Sequence, residues 1–272
     1  MTTSSELLDL AAQLKANDES FVLATVVRTV SVTAAKAGAK AIIRPDGSIV
    51  AGWIGGGCAR GAVLKAAREA LADGIPRMVS VQPENLLAEL GVKPGETREG
   101  VRFAANMCPS KGTMDIFVEP VLPHPALVIL GASPVAIALA AQARPLGYHV
   151  TLAAPASDLA TTPEADVLID GFALDQQPAG SSRFVVVSTQ GKGDEAALRA
   201  ALACDAAYHA FVGSRRKMDS LRDKLIKDGI DAALLDKVKA PAGLDLGAIT
   251  PEEIAMSILA EITQVRRRGQ RG

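Results

Sequence analysis

Aromatic side chains and cysteines are scarce in this chain. Phe, Trp and Tyr together make up 3% of its 272 residues, whereas hydrophobic residues reach 49%, so any core must be built mainly from small aliphatic side chains. The three cysteines, Cys58, Cys108 and Cys204, are far apart and form no CxxC pair. This spacing argues against a disulfide framework or a structural zinc site. It is typical of a reducing compartment, and we expect the protein in the cytoplasm.

Other features are missing as well. The net charge is −1, so no overall excess of positive charge indicates a nucleic-acid partner. No apolar run reaches the ~20 residues that a membrane span needs, and the polar N-terminus is unlike a secretory signal. The chain has no HExxH or Walker A motif, and no catalytic triad spacing is recognisable around its histidines. The sequence therefore predicts neither a hydrolase nor a membrane span.

A change of pattern in the middle of the chain predicts two domains. Residues 1–120 read as a mixed α+β domain with strands grouped in hairpins. Residues 126–272 alternate short apolar strands with helices, which predicts a Rossmann-like, doubly wound parallel sheet and places the chain in the α/β class. Residues 121–125 are predicted to be a linker, because the three prolines between positions 120 and 125 continue neither a helix nor a central strand.

The stretch Gly52–Cys58 joins a predicted strand to a predicted helix. Gly55, Gly56 and Gly57 allow a ligand to approach the backbone closely, and the start of the helix offers unpaired N–H groups to an anion such as a phosphate. Cys58 at the same place is a candidate soft metal ligand or nucleophile. The alternative is a tight turn that ends in a buried cysteine.

The Rossmann half carries an incomplete dinucleotide fingerprint. Gly131 and Ala136 keep the outer positions of the G-x-G-x-x-G/A pattern, but Ser133 replaces the middle glycine. The next strand is predicted to end without the carboxylate that binds ribose hydroxyls. The pattern therefore predicts the Rossmann fold without ordinary NAD chemistry, and Gly131 and Ser133 are candidates for holding a nucleotide.

A second candidate anion site follows a later strand of the same half. In residues 213–217, Ser214 and Arg215 open a helix that begins with three cations, and guanidinium groups bind phosphates bidentately. The alternative is a solvated helix start.

Cys108 lies beside Met107 in the predicted loop 106–112, with Met114 nearby. A thiolate and two thioethers suit Cu(I), so Cys58 and Cys108 are both candidate metal ligands. The alternative is a loop cysteine among core methionines. Cys204, after an alanine-rich helix, is predicted to be buried and inert.

Taken in order, several motifs resemble those of the XdhC/CoxI/CoxF family of maturation factors for molybdenum hydroxylases. These motifs cover nearly the whole chain, and their occurrence in this order is specific to the family. The matching segments are Ala24–Val27, Gly38–Lys40, Asp46–Gly47, Gly55–Cys58, Phe117–Pro120, Gly131–Ala136, Gly213–Lys217 and Ala240–Ala248.

The resemblance implies an accessory chaperone rather than an enzyme. It implies binding of the molybdenum cofactor, as molybdopterin or its cytosine dinucleotide form, with Lys40 and Gly55–Cys58 in contact with it. The protein would protect the cofactor, assist its sulfuration and insert it. Its partners would be an apo molybdenum hydroxylase and a cofactor-synthesis or sulfurase protein. A homodimer is the default oligomer. The loop around Cys108 resembles the branch linked to carbon monoxide dehydrogenase, whose active site pairs molybdenum with copper.

The chain departs from the family pattern at two places. Residues 31–37 lack the Gly-Ser-x-Pro-Arg stretch of many relatives, and Arg60 stands where many relatives have an acidic residue. Two other functions remain open at this point. One is an NAD(P)-dependent oxidoreductase, and the other is a regulatory module that senses a nucleotide.

Overall fold

The computed structural model describes residues 4–109, 111–174 and 182–267. The chain divides into two compact units, Met1–Pro123 and His124–Gly272. Among the described residues, no helix is both long enough and apolar enough to cross a membrane.

Within its described residues, the first unit holds one mixed seven-stranded sheet with the strand order β3-β2-β1-β7-β4-β6-β5. Its strands are β1 (Phe21–Val30), β2 (Lys40–Ile43), β3 (Ile49–Gly52), β4 (Arg77–Gln82), β5 (Thr97–Arg98), β6 (Val101–Ala105) and β7 (Thr113–Val121). Its helices are α1 (Ser4–Ala16), α2 (Gly57–Asp73) and α3 (Glu84–Glu89). The pair β4–β6 is parallel and the other neighbours are antiparallel.

Helices pack against the sheet of the first unit through alternate residues of its strands. Ile43 of β2 belongs to the core beneath α2, whereas its neighbour Ile42 packs with Leu7 and Leu14 of α1, because successive side chains of a strand point to opposite faces. The side chains that α2 buries against the sheet are mostly small. They are Ala59, Val63, Ala66, Ala67 and Ala70. These small side chains let α2 lie close to the strands.

The prediction that the strands of this unit form hairpins is correct only in part. Strands β1, β2 and β3 pair in sequence, but β7 lies between β1 and β4 and does not pair with β6. Strand β7 also extends through Pro120 to Val121, where the sequence predicted the start of a linker. Beyond Val118, β7 has β1 as its neighbour but no longer pairs with β4, so the missing N–H of Pro120 costs little.

Within its described residues, the second unit holds a six-stranded sheet with the strand order β10-β9-β8-β11-β12-β13, and all neighbours are parallel. Its strands are β8 (Ala126–Leu130), β9 (His149–Ala154), β10 (Val167–Asp170), β11 (Arg183–Val187), β12 (Tyr208–Phe211) and β13 (Val238–Lys239). Its helices are α4 (Pro134–Ala143), α5 (Asp194–Leu202), α6 (Arg215–Lys227), α7 (Ala232–Leu235) and α8 (Pro251–Arg266). This order is the 3-2-1-4-5-6 arrangement of the Rossmann fold, and the predicted fold class is confirmed.

A buried carboxylate fastens α8 to the last strands of this sheet. Glu261, whose side chain is 8% exposed, lies 2.5 Å from the ammonium of Lys239 and accepts hydrogen bonds from the Tyr208 hydroxyl and the Gly243 amide. Burial alone would raise the pKa of Glu261, but these three donors hold it below its usual value. Burial and the neighbouring carboxylate raise the pKa of Tyr208 well above its usual value. The network therefore stabilises the ionised form of Glu261.

Replacing Glu261 with Gln is expected to lower the free energy of unfolding by about 1–3 kcal/mol at neutral pH, because a charged hydrogen-bond acceptor is lost from a buried position. The folded-state pKa of this carboxyl is lowered. Its contribution is therefore present above the unfolded-state pKa and is lost as the pH falls from its ordinary value of 4.5 towards the folded-state pKa. Urea denaturation at neutral and at acidic pH measures both effects.

Glu252→Gln is the matched control, because Glu252 lies exposed on the same helix. Equal losses in the two variants, or a loss for Glu261→Gln that does not shrink in acid, would contradict this role of Glu261.

Candidate functional site

A cavity of about 450 Å³ lies in the first unit where the glycine-rich turn after β3 leads into α2. Its walls come from the start of α2, from the segment that follows β1, from β4, and from the loop between β6 and β7. The lining residues are Val32, Thr33, Ala34, Gly56, Gly57, Cys58, Ala59, Val81, Asn106, Met107, Cys108, Pro109, Gly112 and Met114. The volume falls within the range of about 300–1,000 Å³ that is usual for small-molecule sites.

The start of α2 faces this cavity without a side-chain cap. Gly56 occupies the N-cap position and offers no side chain, and the first turn contains no acidic residue. The amides of the first turn therefore keep their capacity to bind an anion. Gly55 has a different role, because its φ is 99° and an added Cβ would lie 3.1 Å from the Met114 methyl carbon. Glycine at this position lets the Met114 thioether pack beneath the turn.

Sulfur-containing side chains from three separate segments line the cavity. Cys58 is half-buried on α2, Cys108 is exposed in the loop between β6 and β7, and Met114 is 6% exposed on β7. Met107, at 78% exposure, lies at the mouth. The described lining residues carry no charged side chain. Two thiols and two thioethers in neutral surroundings match soft metal ions rather than Mg²⁺ or Ca²⁺.

Hydrogen bonds within the β6–β7 loop position Cys108. The Asn106 side chain donates to the Gly112 carbonyl at 2.6 Å and accepts from the Cys108 amide at 3.0 Å. Gly112 itself passes so close to Val32 that a Cβ would overlap the Val32 carbonyl oxygen. The sequence analysis missed Asn106, although an Asn two residues before a loop cysteine is an Asx-turn signal. Ser110, within the predicted loop, lies outside the described residues.

The predicted residues of the first unit are therefore only partly brought together. Gly56, Gly57, Cys58 and Cys108 line one cavity, as do the two methionines predicted beside Cys108. Lys40 does not line it, because its ammonium donates to the Thr25 hydroxyl at 3.0 Å on β1. Arg60 is exposed on α2 and is also absent from the lining.

The glycine turn of the Rossmann unit is closed by its own serine. The Ser133 hydroxyl lies 2.6 Å from the Ser188 hydroxyl and accepts from the Ala136 amide at 3.1 Å, which caps α4. A Cβ on Gly131 would overlap the Ser188 carbonyl. The cavity at this turn has only about 60 Å³. Neither Gly131 nor Ser133 borders a space large enough for a dinucleotide.

An acidic residue near this turn was missed. The second Rossmann strand, β9, ends at Ala154 without a carboxylate, as predicted, but a single 3-10 turn, Ala156–Asp158, follows it and Asp158 lines the small cavity. Asp158 forms an ion pair at 3.2 Å with Lys192, which also lines the cavity. Asp158 was missed because it lies four residues beyond the end of β9, whereas the fingerprint expects the carboxylate at the strand end.

The second predicted anion site borders a larger cavity of about 700 Å³. Ser214 and Arg215 line it, but two of the three predicted cations do not. Lys217 instead forms an ion pair with Asp194 at 2.8 Å and lies 5.4 Å from the centre of the Phe211 ring.

Comparisons with known proteins agree with this architecture. A family model described as the XdhC Rossmann domain matches residues 127–262, which is half of the chain, and a model described as the XdhC and CoxI family matches residues 14–82.

Two curated relatives are each 29% identical to this chain. An uncharacterized protein of Escherichia coli, YqeB, aligns over 96% of the chain and 46% of its own length. A protein of Bacillus subtilis, described as a probable subunit of xanthine dehydrogenase, aligns over 57% of the chain and 47% of its own length. The chain thus spans about half the length of the curated relatives that it matches.

A crystal structure of a xanthine dehydrogenase from Bacillus halodurans is 19% identical to the chain, with a TM-score of 0.47. The alignment covers 97% of this chain and 96% of the chain in that structure. The family models, which together span most of both units, identify the chain: it belongs to the XdhC and CoxI family.

Proposed function

We propose that this protein is a maturation factor for a molybdenum hydroxylase of the xanthine dehydrogenase or carbon monoxide dehydrogenase type. Membership of the XdhC and CoxI family and the relative described as a probable subunit of xanthine dehydrogenase support this role. The observation that carries the proposal is the cavity at the start of α2, where an uncapped helix start and two thiols converge. The protein acts as an accessory chaperone, and its substrate is the cofactor that it passes on.

The proposed cargo is the molybdenum cofactor, as molybdopterin or its cytosine dinucleotide form. This cofactor combines a pterin dithiolene with a phosphate, so its carrier needs anion donors beside a sheltered space. The amides at the start of α2 suit the phosphate or an oxo group, and the neutral walls suit the pterin. The Cys58 sulfur supplies a soft transient contact to the metal or to a transferred sulfur. No group of three or more His, Cys, Asp or Glu in the described chain would trap the metal.

The open mouth of the cavity suits delivery. Met107 and Cys108 are exposed at the rim, so a docked partner would reach the cargo without unfolding the carrier. The proposed partners are an apo molybdenum hydroxylase and a cofactor-synthesis or sulfurase protein. We further propose that the protein works in the cytoplasm as a homodimer.

A second cargo, copper, is supported by the sulfur content of the same cavity. Cys58, Cys108, Met107 and Met114 all line it and carry two thiols and two thioethers, and such donors select Cu(I). The rival function of an NAD(P)-dependent oxidoreductase gains no support, because the glycine turn around Ser133 borders only about 60 Å³.

Anaerobic titration with the molybdenum cofactor tests the main proposal. Wild type is expected to bind the cofactor, and Cys58→Ser is expected to weaken binding about tenfold or more, because a hydroxyl is a poor ligand for a soft metal or sulfur centre. Cys204→Ser is the matched control, since Cys204 lies half-buried in the second unit with its thiol 3.5 Å from the Ala200 carbonyl. No binding by wild type, or equal effects of the two variants, would refute a carrier site at Cys58.

Transfer is tested by mixing cofactor-loaded protein with an apo molybdenum hydroxylase. Activation is expected to be faster than with the same amount of free cofactor, because the carrier shields its cargo from water and oxygen. The rate of appearance of hydroxylase activity measures the effect. An apoenzyme that gains activity no faster with loaded carrier than with free cofactor would leave the protein without a maturation role.

Competition with a chromogenic Cu(I) chelator tests the copper proposal. Cys108→Ser and Met114→Leu are each expected to weaken Cu(I) binding, because each removes one soft donor from the cavity without removing its volume. Cys204→Ser should leave Cu(I) binding unchanged. Equal affinity in all variants would exclude this cavity as a copper site and leave the molybdenum proposal intact.

A further inference from the structure

Two segments singled out in the sequence, and not used by the proposed function, meet at one place in the second unit. Residues 213–215 follow β12, and residues 241–248 follow β13. Both line the cavity of about 700 Å³ beyond the carboxyl ends of these strands. In open parallel sheets, ligands bind outside the carboxyl ends of the strands. The position and the volume both fit a ligand site.

Polar groups at this cavity suit a phosphate. Arg215 and Lys239 both line it, and the Lys239 ammonium is also held by Glu261. The Ser214 hydroxyl accepts a hydrogen bond from the Lys217 amide and keeps its proton for a ligand. In the part of the chain that the structure describes, no hydrogen bond engages the backbone amides of residues 245–248, so they offer further donors.

The floor of the cavity is fixed before any ligand arrives. The Ala242 amide donates to the Phe211 carbonyl at 3.0 Å, and the Leu244 amide donates to the Ser257 carbonyl at 3.2 Å. Gly243 has a φ of 92° and lies so close to α8 that a Cβ would overlap the Ser257 hydroxyl. These contacts hold residues 241–244 against β12 and α8. Binding therefore requires little ordering of residues 241–244, which lowers its entropic cost.

The other walls suit a flat heterocycle and a sugar. Val212, Leu244 and Ile254 supply apolar surface, and Leu246, which is 54% exposed, stands at the rim. The exposed carboxylate of Asp245 also lines the cavity, and it can accept hydrogen bonds from hydroxyl groups. The cavity thus joins anion donors, an acceptor and an apolar wall.

We propose that this cavity binds a nucleoside diphosphate, with Arg215 on the phosphates. The ligand site of the Rossmann unit then lies at the ends of β12 and β13 rather than at the glycine turn, where Ser133 and Ser188 close the space. The inference does not rest on the proposed maturation role.

The test is calorimetric titration of the full chain with ADP, GDP, CDP and UDP. At least one is expected to bind with a dissociation constant below ~1 mM, and Arg215→Gln is expected to weaken that binding about tenfold. Arg216→Gln is the matched control, because Arg216 is exposed on the same turn of α6 but does not line the cavity. Its effect should stay within about twofold.

Two further titrations test where the ligand binds and which part of it is recognised. Ser133→Gly should leave the affinity unchanged, whereas the nucleoside without phosphates should bind more weakly than its diphosphate. Absence of binding for all four diphosphates, equal losses from the two arginine variants, or binding that depends on Ser133 would each overturn the proposal. Because molybdenum cofactor titration reports on the first unit, failure here leaves the maturation proposal standing.

Discussion

The N-cap residues of α2, α4 and α6 determine how many backbone donors stay free at the starts of these helices. Ser133 caps α4 and Ser214 caps α6, so in both cases a side chain already occupies one backbone donor. Gly56 caps α2 with no side chain. The first turn of α2 therefore keeps unsatisfied amides, and a helix start without a cap is stable only if water or a ligand satisfies them. Both helices follow a strand and a glycine-containing turn, but the first turn of α4 is capped by a side chain and the first turn of α2 is not.

The open helix start gains its chemistry from the sheet order of the first unit. Cys58 and Cys108 are fifty positions apart, and they reach one cavity because β7 is inserted beside β1 and carries the preceding loop over the start of α2. Asn106 and Gly112 fix that loop against the segment after β1. The result is a sulfur-rich cavity whose described lining residues carry no charged side chain.

Local sequence patterns were sufficient to predict the Rossmann-like parallel sheet and most of its elements, because strand and helix periodicities and turn residues act over a few positions. They could not predict the insertion of β7, which depends on pairing with distant strands. They also failed for individual side chains. Lys217 was one of three cations at a candidate anion site but pairs with Asp194, and Asp158 was overlooked because a 3-10 turn carries it back to the glycine loop. Which charged groups pair with each other depends on the tertiary structure, so local sequence patterns do not predict it.

The serine at the glycine turn explains how a Rossmann sheet persists without an open dinucleotide crevice. In the standard site, the middle glycine leaves room for a pyrophosphate that bridges the turn and the helix start. Here the Ser133 hydroxyl makes that bridge itself, with one contact to the Ala136 amide and one to Ser188 on the neighbouring strand connection. The side chain satisfies the groups that a ligand would otherwise satisfy, so the turn is complete without one. Space for a ligand is then left at the edge of the sheet, where β13 is only two residues long and the loop after it lines a cavity together with the start of α6.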